Sequence, residues 1–207
     1  GDQEIASNEN RVAKLANIIY DENVRLGSNI ERVLNIARLE KENLKMERTK
    51  VHINGLMAGV LESMQLQLQK AEGTFHVDLS ADQDVVIGDE LHLSNVMFNL
   101  IDNAIKYSTD APDITVRSYN SKHSITLCVA DKGVGMSKDH QEKIFDQFYR
   151  IPTGNIHNVK GFGLGLSYVN NIVKMLNGKI TVKSEKDKGT QFEVTLPLMN
   201  AESTFSA

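Results

Sequence analysis

The stretch N-L-I-D-N-A-I-K-Y-S, Asn99 to Ser108, constrains this chain more than any other. Val96, Leu100, Ile101, Ala104 and Ile105 recur at helical spacing, so the segment is an amphipathic helix that must bury one face. Asn99 and Asn103 are four apart and lie on one face, one turn above each other. Lys106 and Tyr107 follow in the next turn. Two amides, a cation and an aromatic ring then meet in one small region. Such a set suits a magnesium nucleotide, with an amide oxygen for the metal, a cation for phosphate and a ring beside the base. A core helix whose asparagines cap or face water fits the same ten residues equally well. The downstream sequence decides between the two.

The 207 residues suffice for one large domain, or one domain with an appendage, and 41% hydrophobic content supplies a core. A formal charge of -4, with no basic run interleaved with aromatics, argues against nucleic acid as the main partner. The single cysteine, Cys128, has no internal disulfide partner and sits in an apolar strand pattern, as an inert core thiol of a reducing compartment does. No apolar run approaches the roughly 18 residues of a membrane span, and no signal peptide is recognisable. The chain opens without Met in a polar stretch and is expected to be a fragment of something longer.

From about Glu9 to Glu47 the pattern predicts one long helix, without proline and with Gly27 as its one glycine. Val12, Ile19, Leu26 and Val33 repeat every seven residues, and Ala16, Ile30 and Ala37 form a companion row broken by Asn23. Such a narrow stripe favours packing against other helices in a hairpin or bundle, since the helix cannot be stable alone. An ordinary core helix is the other reading. Lys45 to Lys50 is a charged hinge and the best domain boundary. Beyond it the patterns predict strands over Lys50–Ile53, Thr74–Leu79 and Asp84–Ile87, and a helix over Leu56–Gln69. Asp89 is placed as the N-cap of the helix that runs to Tyr107, with no ligand role. Ile114–Tyr119 and Ser124–Asp131 read as a hairpin turning at Asn120–His123. A short helix over Lys138–Phe145, a polar loop over Ile151–Lys160, a helix from Gly165 to Leu176 stopped by Asn177–Gly178, and strands Lys179–Ser184 and Thr190–Leu196 complete the chain before a frayed tail.

Two glycine clusters carry chemistry. In Asp131-Lys-Gly-Val-Gly135 the glycines permit a sharp turn and close approach to a ligand, and Asp131 at a strand end can accept from an amine such as the exocyclic group of adenine. A simple tight turn reads the same way. Gly161-Phe-Gly-Leu-Gly165-Leu-Ser opens a helix, and its glycines bare backbone N–H groups at a helix N-terminus, a natural anion site. It meets neither the dinucleotide G-x-G-x-x-G spacing nor the P-loop pattern.

In this order, N-x-x-x-N-A-x-K-Y, D-x-G-x-G, F-D-Q-F-Y-R (Phe145–Arg150), G-x-G-L-G-L and G-T-Q-F (Gly189–Phe192) resemble the catalytic ATP-binding domain of sensor histidine kinases over about residues 50–197. The preceding helix, ending L-N-I-A-R-L-E (Leu34–Glu40), looks like the second helix of that family's dimerisation and histidine-phosphotransfer hairpin. The resemblance implies a division into residues 1–47 (that hairpin helix), 48–199 (the catalytic domain) and 200–207 (a disordered tail). It implies a two-layer α/β sandwich of the Bergerat type, a mixed, mainly antiparallel sheet under helices, with ATP beneath a flexible lid at 151–160. Asn103 would then hold Mg2+, with Asn99 beside it near the phosphates. Lys106 and Arg150 would contact phosphates, and Tyr107 would lie against base or ribose. Asp131 would read the adenine amine, and Gly133 and Gly135 would shape the base pocket. Gly161, Gly163, Leu164, Gly165 and Leu166 would wrap the phosphates, and Thr190 would touch the base side. Asn99, Lys106 and Arg150 would be the catalytic set.

The related Hsp90, gyrase and mismatch-repair ATPases carry a glutamate base where this chain has Asn99. An amide takes no proton at neutral pH, which argues for phosphoryl transfer over hydrolysis. The family's phosphorylated histidine precedes an acidic residue and, soon after, a proline. None of the six histidines here is followed by an acidic residue, and each reads as a surface or strand residue. Truncation is the favoured explanation, so this piece would not phosphorylate itself. The intact protein is expected to be a homodimeric, bacterial, inner-membrane sensor whose cytoplasmic portion this is. It would pass phosphate to the receiver domain of a response regulator. An ATP-binding interaction module without its own acceptor, an anti-sigma-type serine kinase and a chaperone-like ATPase are the rival readings.

Overall fold

The computed structural model describes residues 46–151 and 163–199, all within the second of two units into which the chain divides, Gly1–Leu44 and Lys45–Ala207. The long helix expected up to residue 45, the loop at 152–160 and the tail at 200–207 lie outside the described residues. Residues 46 and 47, which that helix was expected to reach, are not helical.

Among the described residues, seven strands and four helices follow in the order β1 (Thr49–His52), α1 (Ile53–Lys70), β2 (Thr74–Leu79), β3 (Val85–Gly88), α2 (Glu90–Lys106), β4 (Asp113–Ser121), β5 (Ser124–Asp131), α3 (Lys138–Gln141), α4 (Gly165–Met175), β6 (Lys179–Glu185) and β7 (Gly189–Pro197). Strands β1 and β3 pair antiparallel, and the main sheet runs β2-β4-β5-β7-β6. Only β2–β4 is parallel; β4–β5, β5–β7 and β6–β7 are antiparallel. The result is the expected mixed, mainly antiparallel sheet with helices over it.

Register explains why the layers form. Val116, Val129, Phe192 and Val182 line up across four strands and so share one face. Val116, Val129 and Phe192 are buried, as are the helix residues Met57, Leu100, Ile101, Val169 and Ile172. The next row, Arg117, Cys128, Glu193 and Thr181, points to the opposite face and is mostly polar. Cys128 is buried within that row, and desolvation pushes its thiol up from the ordinary value, consistent with an unreactive cysteine.

Helix ends account for the motif positions. Helix α1 has no side-chain cap of its own; Asp84 supplies one from a distance. The Asp84 carbonyl accepts from Ile53 N–H (2.9 Å) and its carboxylate from Asn54 N–H (3.2 Å). Asp89 does cap α2, accepting from His92 N–H at 3.1 Å. Helix α4 ends in a Schellman turn in which Asn177 itself takes the left-handed conformation (φ 56°) and Gly178 N–H donates to the Val173 carbonyl (2.8 Å). Two expectations are corrected. The helix at Lys138 stops at Gln141 and continues as turns, because residues 142–150 instead fold back toward the glycine loop. The β4–β5 turn is tighter than the sequence suggests, since Ser121 still pairs with Ser124.

Leu100 is fully buried on the central helix. Leu100→Ala is expected to lower the unfolding free energy by about 2–5 kcal/mol, read by urea denaturation with an unchanged slope. A loss below about 1 kcal/mol would show that α2 does not anchor the core.

Candidate nucleotide site

Helix α2 carries the first group of expected site residues along one edge. Asn99 is half-buried, and its amide nitrogen donates to the Asn95 carbonyl at 2.7 Å. A Cβ built on Gly165 would fall 2.7 Å from Asn99 Oδ1, so any larger residue at the start of α4 would displace the Asn99 side chain from its present position. Asn103 is half-buried and, among the described residues, its side chain makes no hydrogen bond. Lys106 is ion-paired with Asp102, four residues earlier on the helix. Asp102 is buried and was not singled out by the sequence.

The end of α2 is joined to the D-K-G-V-G loop through backbone. The Tyr107 carbonyl accepts from Val134 N–H at 3.0 Å, and a Cβ on Gly133 would fall 2.3 Å from that same oxygen. Gly133 therefore serves first as the place where two backbones cross. Gly135 has φ 56° and packs against the Glu185 carbonyl of the β6–β7 turn. Asp131 Oδ1 accepts from Gly133 N–H (2.8 Å) and Thr190 N–H (3.2 Å); Oδ2 takes neither bond. Burial raises the Asp131 carboxyl above its ordinary value, and the two N–H donors only partly offset this. Thr190 is buried, with its hydroxyl 2.9 Å from that of Ser184.

The phosphate end is built from α4 and the F-D-Q-F-Y-R turn. Leu164 precedes α4 with no side-chain cap, so the first-turn N–H groups of Gly165, Leu166 and Ser167 have no capping acceptor from that residue. Leu164 is buried and Leu166 half-buried. Gly163, at φ 72°, accepts from Phe148 N–H through its carbonyl (3.0 Å), tying the glycine loop to the turn before Arg150. Tyr107 lies within range of the Arg150 guanidinium, which opposes the rise in its pKa caused by burial, while Asp102 reinforces that rise. Lys106, Tyr107 and Arg150 thus belong to one electrostatic neighbourhood. Gly161 lies outside the described residues.

The expected site residues within the described segments therefore fall along one path, from Thr190 and Asp131 past Tyr107 and Arg150, and along α2 to Asn99 and Gly165. Among the described residues, a helix start without a side-chain cap from Leu164, a close approach of Asn99 to Gly165 and a carboxylate whose Oδ2 accepts neither backbone bond fit a purine nucleotide. No group of three or more His, Cys, Asp or Glu among the described residues is arranged to hold a metal. A lone amide such as Asn103 suits a magnesium held chiefly by phosphate oxygens. The histidine expectation needs correction at one position: His92 is neither at the surface nor on a strand, but buried on α2. Its place three residues before Asn95 and seven before Asn99, on the same helix face, was the available signal.

Comparison with known proteins matches residues 88–200 to the family described as Histidine kinase-, DNA gyrase B-, and HSP90-like ATPase. Sensor protein RprX of Bacteroides fragilis (strain YCH46) is 37% identical over 187 residues, which is 89% of this chain and 36% of RprX. The catalytic domain of histidine kinase ThkA superposes with TM-score 0.65 at 25% identity, covering 75% of this chain and 100% of that one. Full-length ShkA in complex with AMPPNP superposes with TM-score 0.75 at 25% identity, covering 86% and 36%. The chain spans about a third of the length of the curated relatives it matches (36% and 31% of the first two).

The raised carboxyl of Asp131 carries a stability consequence. A folded-state value above the unfolded one means that ionisation costs stability, fully so above the folded value and not at all below the unfolded one. Asp131→Asn is therefore expected to melt no lower than the wild type at pH 7, with any gain vanishing as the pH falls through the carboxylate range. A clearly lower melting temperature at pH 7 would contradict this reading of the site.

Proposed function

The chain belongs to the histidine kinase-, DNA gyrase B- and HSP90-like ATPases and carries the ATP-binding domain of the histidine kinase type, and from this we propose that it donates the γ-phosphoryl group of Mg2+-ATP to a histidine. The observation that carries the reading is the approach of Asn99 to Gly165 at the uncapped start of α4.

In this reading Asp131 Oδ2 accepts from the adenine amine, with Oδ1 fixed by the N–H groups of Gly133 and Thr190. Tyr107 covers the base or ribose, and the Thr190 hydroxyl, held by Ser184, closes the base side. Gly163, Leu164, Gly165 and Leu166, with Gly161 before them, wrap the phosphates with backbone N–H donors and the helix dipole. Arg150 and Lys106 neutralise phosphate charge, Lys106 by turning from Asp102. Asn103 contributes an amide oxygen to the magnesium. The bound Mg2+-ATP supplies the transferable group and the charge compensation; the protein supplies position and a preorganised field. Asn99 has no basic atom, so it orients without activating water, which favours transfer over hydrolysis.

We further propose that residues 1–47 serve as a helix of the dimerisation hairpin. The acceptor histidine lies outside this sequence, since none of the six histidines is followed by an acidic residue. The receiver domain of a response regulator would then collect the phosphoryl group in a homodimeric parent. The domain works on the cytoplasmic side, where ATP is supplied; no described helix is long and apolar enough to cross a membrane.

Incubation with Mg2+ and γ-labelled ATP tests the reading. The chain alone is expected to stay unlabelled. Adding a separate hairpin bearing the acceptor histidine from the parent protein should give an acid-labile, base-stable label on that hairpin. Label on serine, or rapid release of free phosphate without a labelled hairpin, would overturn the proposal.

A further inference from the structure

Helix α2 presents a longer polar stripe than the two asparagines that announce it. His92, Asn95 and Asn99 stand on one face, three and four residues apart, and that face meets α4. His92 and Tyr168 are buried at 9% and 7% exposure, with the imidazole Nδ1 2.8 Å from the phenol oxygen. Their rings are tilted, with centroids 6.2 Å apart. Burial pushes the Tyr168 hydroxyl up to about 12, the neighbouring Asn95 side chain only partly opposing this, so it remains protonated at neutral pH.

These contacts line one seam between two helices. On α4, Tyr168 follows Gly165 by three residues; on α2, Asn99 follows Asn95 by four. The Asn95 side chain lies near the Tyr168 hydroxyl, the Asn95 carbonyl accepts from Asn99, and Asn99 Oδ1 rests against Gly165. His92 closes the other side, and its own N–H donates to the Asp89 cap. Apolar side chains at this interface would tolerate axial sliding of one helix on the other. A buried hydrogen bond has one good geometry and leaves unsatisfied groups when it slips.

We propose that His92 and Tyr168 are positioning residues of the nucleotide site: their buried hydrogen bond sets the axial register of α4 against α2. It thereby sets the distance from Asn99 to the N–H groups of Gly165, Leu166 and Ser167. This rests on the nucleotide reading above and concerns its phosphate end alone, because Asp131 and Thr190 are held by a separate set of contacts.

Three variants of the full chain test it: Tyr168→Phe, His92→Leu and His92→Asn. The last keeps an acceptor near the position of the imidazole Nδ1. The side-chain amide resonances of Asn95 and Asn99 are followed by NMR without nucleotide, and affinities for Mg2+-ATP and for adenosine are measured separately. Tyr168→Phe and His92→Leu are expected to shift both amide pairs and to weaken Mg2+-ATP by about tenfold, with adenosine changed by less than about twofold. His92→Asn is expected to restore most of the loss. Unmoved amide resonances, equal weakening of ATP and adenosine, or a His92→Asn variant as weak as His92→Leu would overturn the proposal. Failure of the wild type to bind any nucleotide would sink the nucleotide reading instead. The amide resonances would still decide whether the bond sets the helix register.

Discussion

The contact on which the rest depends is the approach of α2 to the start of α4, where Asn99 Oδ1 occupies the space that any Cβ at position 165 would need. Everything proposed for the phosphate end follows from it. A helix N-terminus becomes an anion site only if its N–H groups stay uncapped and reachable, and a neighbouring helix usually brings bulk with it. Here the bulk is removed on one side by glycine, and the other side offers an amide. The apolar faces of both helices meanwhile bury Leu100, Ile101, Val169 and Ile172. Core packing and site assembly are therefore the same event, and a loss in one is felt in the other.

The base end is built differently. There the sheet supplies the frame: Asp131 ends β5, Thr190 is the second residue of β7, and the two strands pair antiparallel with these residues opposite each other. The carboxylate is held by two backbone donors rather than by a cation, which keeps it in place without neutralising it. The Tyr107 carbonyl links this end to α2 across the glycine at 133. A single helix thus joins a phosphate end built on helices to a base end built on strands.

Much of this was legible in the residues. Period-two and period-3.6 patterns found the strands and the three longer helices, because the sheet and each of these helices bury a single face. Glycine spacing found both loops, since at Gly133, Gly135 and Gly163 a Cβ would run into backbone. What was not legible depends on residues distant in sequence. The cap of α1 comes from Asp84, thirty residues after Asn54. The partner of His92 is 76 residues away, so the one local hint of its burial was its place on the helix face of Asn95 and Asn99. Lys106 reads as a phosphate ligand in isolation, while its ion pair with Asp102 needed the helix to be formed. The short α3 differs too: its pattern continues past Gln141, but the following residues form turns, with Phe148 in the left-handed conformation and its N–H on the distant Gly163 carbonyl.

The central claim is that α2 and α4 assemble a site for the phosphates and metal of a nucleotide. Calorimetric titration of the chain with ATP, with magnesium and then with magnesium chelated, tests it most directly, with Asn103→Ala alongside. The account predicts magnesium-dependent binding of roughly micromolar strength, about -8 kcal/mol, and loss of that binding in the Asn103 variant. Binding that ignores magnesium, or an Asn103→Ala protein with unchanged affinity, would contradict it.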